Sequence, residues 1–214
     1  MHKQTYLERD IFYLSRIENI VGFKTMLRLL AARSGQILNL NQVARDAELR
    51  HNTAKHYLGL LEELFVVQRV QAYTRSLRSG IRKSPKLFVS DSGIACFLAG
   101  CRELADHPLK GFMFETYVFQ NLAAILEAHA PGWSIRSWRV DETREVDLVL
   151  DTREQAVGIE IKAGEIPQKK DIRALRAFMD STPECRLCIL AYNGVDIATL
   201  GEGIWAVPLG LLLA

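Results

Sequence analysis

No run of eighteen apolar side chains occurs anywhere in the 214 residues, so no membrane-crossing helix is expected. The opening Met-His-Lys-Gln-Thr-Tyr lacks the apolar core of a secretory signal, which makes a cytoplasmic location the expectation. Nor is there a G-x-x-x-x-G-K-[ST] segment, whose amides and lysine would cradle a triphosphate, and ATP binding by that route is excluded. The five histidines form no H-E-x-x-H or Ser-His-Asp grouping, leaving hydrolysis by those routes without support. Cysteine is scarce, at four residues. Cys185 and Cys188 make a C-x-x-C, but no second such pair or histidine pair accompanies them, so structural zinc is not expected. Their odd spacing on a strand should send them to opposite faces. Cys96 and Cys101, near a helix end, read as buried thiols of a reducing compartment.

What is present suits a globular chain of one large or two small domains: 49% of residues are hydrophobic, 24% are charged and mean hydropathy is +0.02. The net charge of +2 conceals an asymmetry. Nine Lys or Arg oppose four acids from Leu40 to Ser90, while thirteen acids oppose eight bases from Val140 to Ala214. The first half is therefore the better candidate for contacting phosphate.

Apolar periodicity in that half predicts helices over Phe23–Ala32, Asn41–Ala47 and Thr53–Leu64, the last capped by Asn52, then strands over Phe65–Ala72 and Lys86–Ser90. Helix, helix, longer helix and hairpin is the order of a winged helix-turn-helix. From Val66 to Ser90 there are six bases, Arg69, Arg75, Arg78, Arg82, Lys83 and Lys86, and no acid. A basic wing would track a phosphate backbone. The candidate nucleic-acid contacts are Arg50, Asn52 and Lys55 at the start of the third helix, with Arg75, Arg78, Arg82 and Lys83 in the wing, and DNA is the expected form. The alternative is a winged helix that contacts protein, with a merely solvated loop. No membrane partner is expected.

A short helix over Asp91–Gly100 links the halves, and the loop Cys101–Gly111 sets the boundary. The division expected is 1–22 as a linker helix region, 23–100 as the winged-helix domain and 101–214 as a second α/β domain. The latter reads as a helix over Gly111–Ala130, a strand over Trp133–Val140, a hairpin, a helix over Lys170–Met179 and strands over Arg186–Tyr192 and Ile204–Pro208, the first six of these elements running αβββαβ.

The hairpin joins Glu145-Val-Asp147 to Glu160-Ile-Lys162. If it turns at Arg153-Glu154, opposed residue numbers sum to 307, so that Asp147 faces Glu160 and Glu145 faces Lys162. Val146, Leu148 and Leu150 then share an apolar face with Ile161, Ile159 and Val157. Two carboxylates about 5 Å apart repel unless a cation lies between them. Mg²⁺ (or Mn²⁺) suits that task, polarising a phosphate and acidifying a water, while Lys162 could orient that water. An edge hairpin with a solvated charged face is the alternative. Glu115 lies on the apolar stripe of the Gly111–Ala130 helix and needs a cation there, either a metal or an arginine such as Arg136 or Arg139.

Glu115 on a helix, then Glu-Val-Asp147 and Glu160-Ile-Lys162 on consecutive strands, resembles the PD-(D/E)XK nuclease superfamily. More narrowly, Tyr6-Leu-Glu-Arg-Asp10-Ile, Gly35-Gln36, Pro85-Lys86-Leu-Phe-Val-Ser-Asp91-Ser-Gly93, Phe114-Glu115 and the two strand motifs resemble the C-terminal domain of unknown function of a prokaryotic AAA-type ATPase family. The resemblance covers nearly all of the chain. It implies a mixed α/β fold, a winged helix-turn-helix followed by a restriction-endonuclease-like core. It further implies Asp147, Glu160 and Glu115 as metal ligands and Lys162 as the catalytic lysine, with an ATPase domain as partner. Glu145 departs from the small or polar residue that some of these nucleases carry at that position. Two functions are therefore expected in competition, a metal-dependent nuclease cutting phosphodiesters and a non-catalytic regulatory or binding module of an AAA-type ATPase.

Overall fold

The computed structural model describes residues 17–74, 83–141, 143–152 and 154–214, the side chain of Lys169 excepted. Tyr6–Ile11 and three of the wing arginines, Arg75, Arg78 and Arg82, lie outside the described residues.

Helices begin where a polar side chain can take an orphan amide. Asn19 accepts from Gly22 N at 2.9 Å and starts α1 (Ile20–Ala32), and Asn39 accepts from Gln42 N at 3.1 Å and starts α2 (Leu40–Asp46). α3 (His51–Glu63) corrects one expectation. Its cap is Arg50, which holds the extended backbone there without a side-chain bond, so Asn52 lies inside the first turn and caps nothing. Three short strands, β1 (Gln36–Ile37), β2 (Val67–Val70) and β3 (Lys86–Val89), form an antiparallel sheet in the order β1-β3-β2. β1 falls between the first two helices, where the apolar periodicity predicts no element. The wing strand is shorter than expected, because Phe65 takes a φ of +55° and starts the reversal out of α3.

α4 (Ser92–Ala99) runs from an Asp91 cap to Gly100, whose φ of +76° ends the helix, and leads to the long α5 (Lys110–His129). A larger mixed sheet follows, made of β4 (Ser134–Asp141), β5 (Arg144–Asp151), β6 (Ala156–Lys162), β7 (Cys185–Tyr192), β8 (Ala198–Gly201) and β9 (Ile204–Pro208). Its order is β4-β5-β6-β7-β9-β8, with β6-β7 and β7-β9 parallel. A 3₁₀ turn (Lys169–Ile172) and α6 (Arg173–Ser181) make the crossover from β6 to β7, and α7 (Leu209–Leu212) closes the chain's last turn. No helix among the described residues is long and apolar enough to cross a membrane.

The large sheet is covered on both faces. Val118, Phe119 and Leu122 of α5 pack on Leu148, Leu150, Ile159 and Ile161, while Leu175 and Phe178 of α6 pack with Val149, Ala156, Cys188 and Leu190. Strand β3 serves both sheets by simple alternation. Leu87 and Val89 join the core of the first three helices, and Phe88 stacks on Phe119 with ring centroids 4.2 Å apart. A buried polar relay crosses the same boundary. Thr116 donates to Phe112 O (2.8 Å), so Ser34 donates to Thr116 Oγ1 (2.7 Å) and accepts from Val89 N (3.0 Å).

From Leu148 to Asp151 the β5-β6 ladder has the register expected from the sequence, with Leu148 opposite Ile159 and Leu150 opposite Val157, but it ends there, so the expected Asp147–Glu160 and Glu145–Lys162 pairs are not part of it. Two details of side-chain direction need correction. Val146 packs with Trp138 and Val149 on the α6 side, not with Leu148, because the β5-β6 pairing stops at Leu148 and the β4-β5 ladder is irregular between Arg136 and Trp138. Cys185 and Cys188 share a face, their sulfurs 3.6 Å apart. A bulge explains this: Ala156 pairs with Cys185 and Val157 with Leu187, leaving Arg186 as an extra residue that resets the alternation.

Candidate functional site: a carboxylate cluster around Lys86

Where β5 and β6 part beyond Leu148, a side chain replaces the missing ladder bond. Asp147 Oδ2 accepts from Ile161 N at 2.9 Å, which fixes the carboxylate at the fork of the two strands. Its other oxygen lies 3.3 Å from Lys86 Nζ. Around the same ammonium stand Glu115 Oε2 at 2.8 Å, in ion-pair contact but off the direction of a hydrogen bond, and Glu145 Oε1 at 3.3 Å. Three elements thus converge on one nitrogen. β3 supplies the cation, α5 supplies Glu115 and β5 supplies both other acids.

Lys86 is only 1% exposed, and a bare ammonium there would be prohibitively placed. Burial acts to strip its proton, yet the charges of Asp147, Glu115 and Glu145 outweigh that and hold it well above the usual lysine range. Glu115 is pushed up from 4.5 to about 8, first by burial and next by Asp147, against the pull of Lys86. Beside them Glu160 receives Lys162 Nζ on Oε1 at 2.6 Å. Its Oε2 is buried without a hydrogen bond. Burial and the charge of Asp147 lift Glu160 likewise to about 8, opposed by Lys162. The partly exposed Lys162 is itself raised, burial being overcome by Glu160 and Asp147.

The structure therefore gathers Asp147, Glu160, Lys162 and Glu115 into one neighbourhood and adds two residues that sequence reasoning left out of the site. Glu145 binds both Lys86 and, at 3.6 Å, Arg139 Nε. Lys86, read from the sequence as a wing base, is instead the centre of the cluster. A signal was available: Lys86 opens an otherwise apolar Leu87-Phe-Val run, and a lysine in a strand buried on both faces requires acids within reach. Neither arginine considered for Glu115 reaches it as its ion pair, since Arg136 faces Asp151 and Arg139 faces Glu145. The space the carboxylates share holds an ammonium, and among the described residues no three His, Cys, Asp or Glu side chains are placed to hold a metal ion.

None of the nucleic-acid candidates that can be placed pairs with Lys86 or its acids, although Lys83 bonds to the Arg139 that pairs with Glu145. Arg50, Asn52 and Lys55 are exposed on the first turns of α3, with His51 beside them. Lys83 is exposed and donates to Arg139 O at 3.2 Å. Arg69 is committed locally, its guanidinium paired with both Glu62 oxygens.

Two uncharacterized proteins, one from Mycobacterium bovis and one from Mycobacterium tuberculosis, are each 28% identical to this chain over 212 residues, or 98% of it. The chain spans 46% of the length of each. A crystal structure of a Vibrio cholerae protein aligns with 91% of the chain and 55% of its own, at 14% identity and a TM-score of 0.36. Two domains of unknown function cover the sequence, residues 3–105 matching the family described as DUF8612 and residues 110–212 the family described as DUF4143.

Proposed function

We propose that this chain is a non-catalytic regulatory module that works beside an AAA-type ATPase and contacts nucleic-acid backbone through its first half. On this reading residues 23–100 are a winged helix-turn-helix domain and residues 101–214 hold a PD-(D/E)XK-like core whose acidic centre has become structural. The resemblance of the ordered motifs to the ATPase-linked domain supports the partner, and the three helices followed by a β2-β3 hairpin support the finer fold. The observation that carries the functional choice is Lys86: its buried ammonium sits among Glu115, Glu145 and Asp147 and supplies the positive charge that a divalent cation supplies in a nuclease. Retained strand geometry without an open metal position is a scaffold, and the fold alone confers no chemistry.

On this reading exposed Arg50 and Lys55 at the N-terminal turns of α3 give the module its phosphate contacts. One feature favours the competing nuclease reading, the Glu160–Lys162 pair with its unpartnered Glu160 Oε2 next to Asp147. Calorimetric titration of Mg²⁺ and Mn²⁺, run alongside plasmid and oligonucleotide cleavage on the same samples, separates the two. The module predicts no saturable metal site and no cutting, with salt-sensitive DNA binding retained. Cleavage by the wild type that disappears in Asp147→Ala and in Lys162→Ala would overturn it.

A further inference from the structure

The Cys185–Cys188 pair takes no part in the proposed function, and its setting is unusual for two buried thiols. The bulge at Arg186 turns both side chains to the α6 face, and their sulfurs stand 3.6 Å apart as free thiols. Space is reserved for them from the neighbouring strand: a Cβ at Gly158 would lie 2.9 Å from Cys188 Sγ. Phe178, Leu175 and Ile204 belong to the same apolar cluster, and the carboxylate of Glu184 lies near Cys185. No His, Asp or Glu joins the sulfurs as a metal ligand among the described residues.

We infer that Cys185 and Cys188 form a peroxide-oxidisable dithiol, a modification site on the α6 face of the large sheet that closes to an intramolecular disulfide. Cys185, 5% exposed where Cys188 is fully buried, is the attacking sulfur. A hydrogen bond from Cys188 lowers its thiol to about 7, helped by backbone bonds and opposed by burial, whereas Cys188 is held in its protonated form. The Cys185 thiolate attacks one oxygen of a hydroperoxide, the O–O bond breaks, and with hydrogen peroxide the leaving oxygen takes a proton and departs as water. The sulfenic acid so formed is attacked by Cys188, which gives up its proton as the S–S bond forms and the hydroxyl leaves as a second water. Two thiols lose two electrons, and the peroxide is reduced by two.

Closure draws the sulfurs from 3.6 Å to about 2.05 Å, a contraction of roughly 1.5 Å at the start of β7. That strand end is tied to the root of the basic segment, because the adjacent Glu184 accepts from Tyr73 Oη at 2.7 Å and Tyr73 packs edge-on to Phe178.

The test is made on the folded wild-type chain with hydrogen peroxide, followed by denaturation, alkylation of remaining thiols and peptide mass spectrometry. The expected product is about 2 Da lighter, joins Cys185 to Cys188, leaves Cys96 and Cys101 alkylated, and is reversed by dithiothreitol. With Cys188→Ser, a sulfenic-acid trap should label Cys185 instead. Alkylation of all four cysteines after peroxide treatment, or conversion of Cys185 to sulfinic acid without a cross-link, would overturn the assignment, and the wild-type measurement decides even where the variant does not fold.

Discussion

Replacing Lys86 by Met keeps the length of the side chain and removes its charge. Three carboxylate oxygens, at 2.8, 3.3 and 3.3 Å from Nζ, lose their common cation. At an effective dielectric of 20 each such contact is an attraction of about 5–6 kcal/mol, offset by several kcal/mol for drying each ion. The difference that survives when one member of a buried network is deleted is about 3–5 kcal/mol. For a chain of this size that corresponds to a fall in Tm of about 10 °C at pH 8 to 9. At pH 5 Glu115 carries a proton with or without Lys86, so the loss shrinks there. A divalent cation should then do what the lysine did: Mn²⁺ at a hundred times its Kd would restore about 2.7 kcal/mol to Lys86→Met and nothing to the wild type. Urea titrations of both proteins at the two pH values, with and without Mn²⁺, measure every quantity in this chain of reasoning. Equal stabilisation of wild type and variant by Mn²⁺ would refute it, as would a loss below about 1 kcal/mol at high pH.

Glu115 and Glu160 both hold protons in the folded state up to about pH 8 but release them near 4.5 when unfolded. Between those values the native state binds more protons, so stability should fall as pH rises through this window, by up to roughly 1.4 kcal/mol per unit for each group. Lys86, held above its ordinary 10.5, contributes fully throughout that range. Denaturant midpoints at pH 5 and pH 8.5 check the slope, and a rising profile would contradict it. Gly158→Ala sets a methyl 2.9 Å from both Cys188 Sγ and a Phe178 ring carbon, and should destabilise by about 1–3 kcal/mol in the same assay. Reversing Arg50 and Lys55 to Glu should weaken DNA binding and flatten the dependence of log K on log salt by roughly 1.8, if each touches one phosphate. An unchanged slope would remove α3 from the interface.

The parts of this structure that the sequence disclosed are those governed by long, regular patterns. The sum rule for the hairpin held at Leu148–Ile159 and Leu150–Val157 because apolar alternation admits one register. The rule ran out where the strands fork, and there Val146 changed sides. The C-x-x-C misled for a related reason, since one bulged residue inverts every parity argument after it and leaves no local mark in composition. β1 and β8, of two and four residues, are too short for periodicity to register. The acids of the site were found from spacing within their own half of the chain. Their counter-ion was not, because Lys86 is 61 residues from Asp147 and sits in a run whose basic neighbours suggested a solvated wing.

The alternation of β3 bears on what counts as a unit of this protein. A cut between residues 105 and 110, where one matched family ends and the other begins, would leave Lys86 and Phe88 on one fragment and their partners Glu115, Asp147 and Phe119 on the other. The first fragment would display an aromatic ring and an unmatched ammonium, the second a bare apolar groove ringed by repelling acids. Two recognisable stretches of sequence thus fold as one body, because four consecutive residues of one are building material for both.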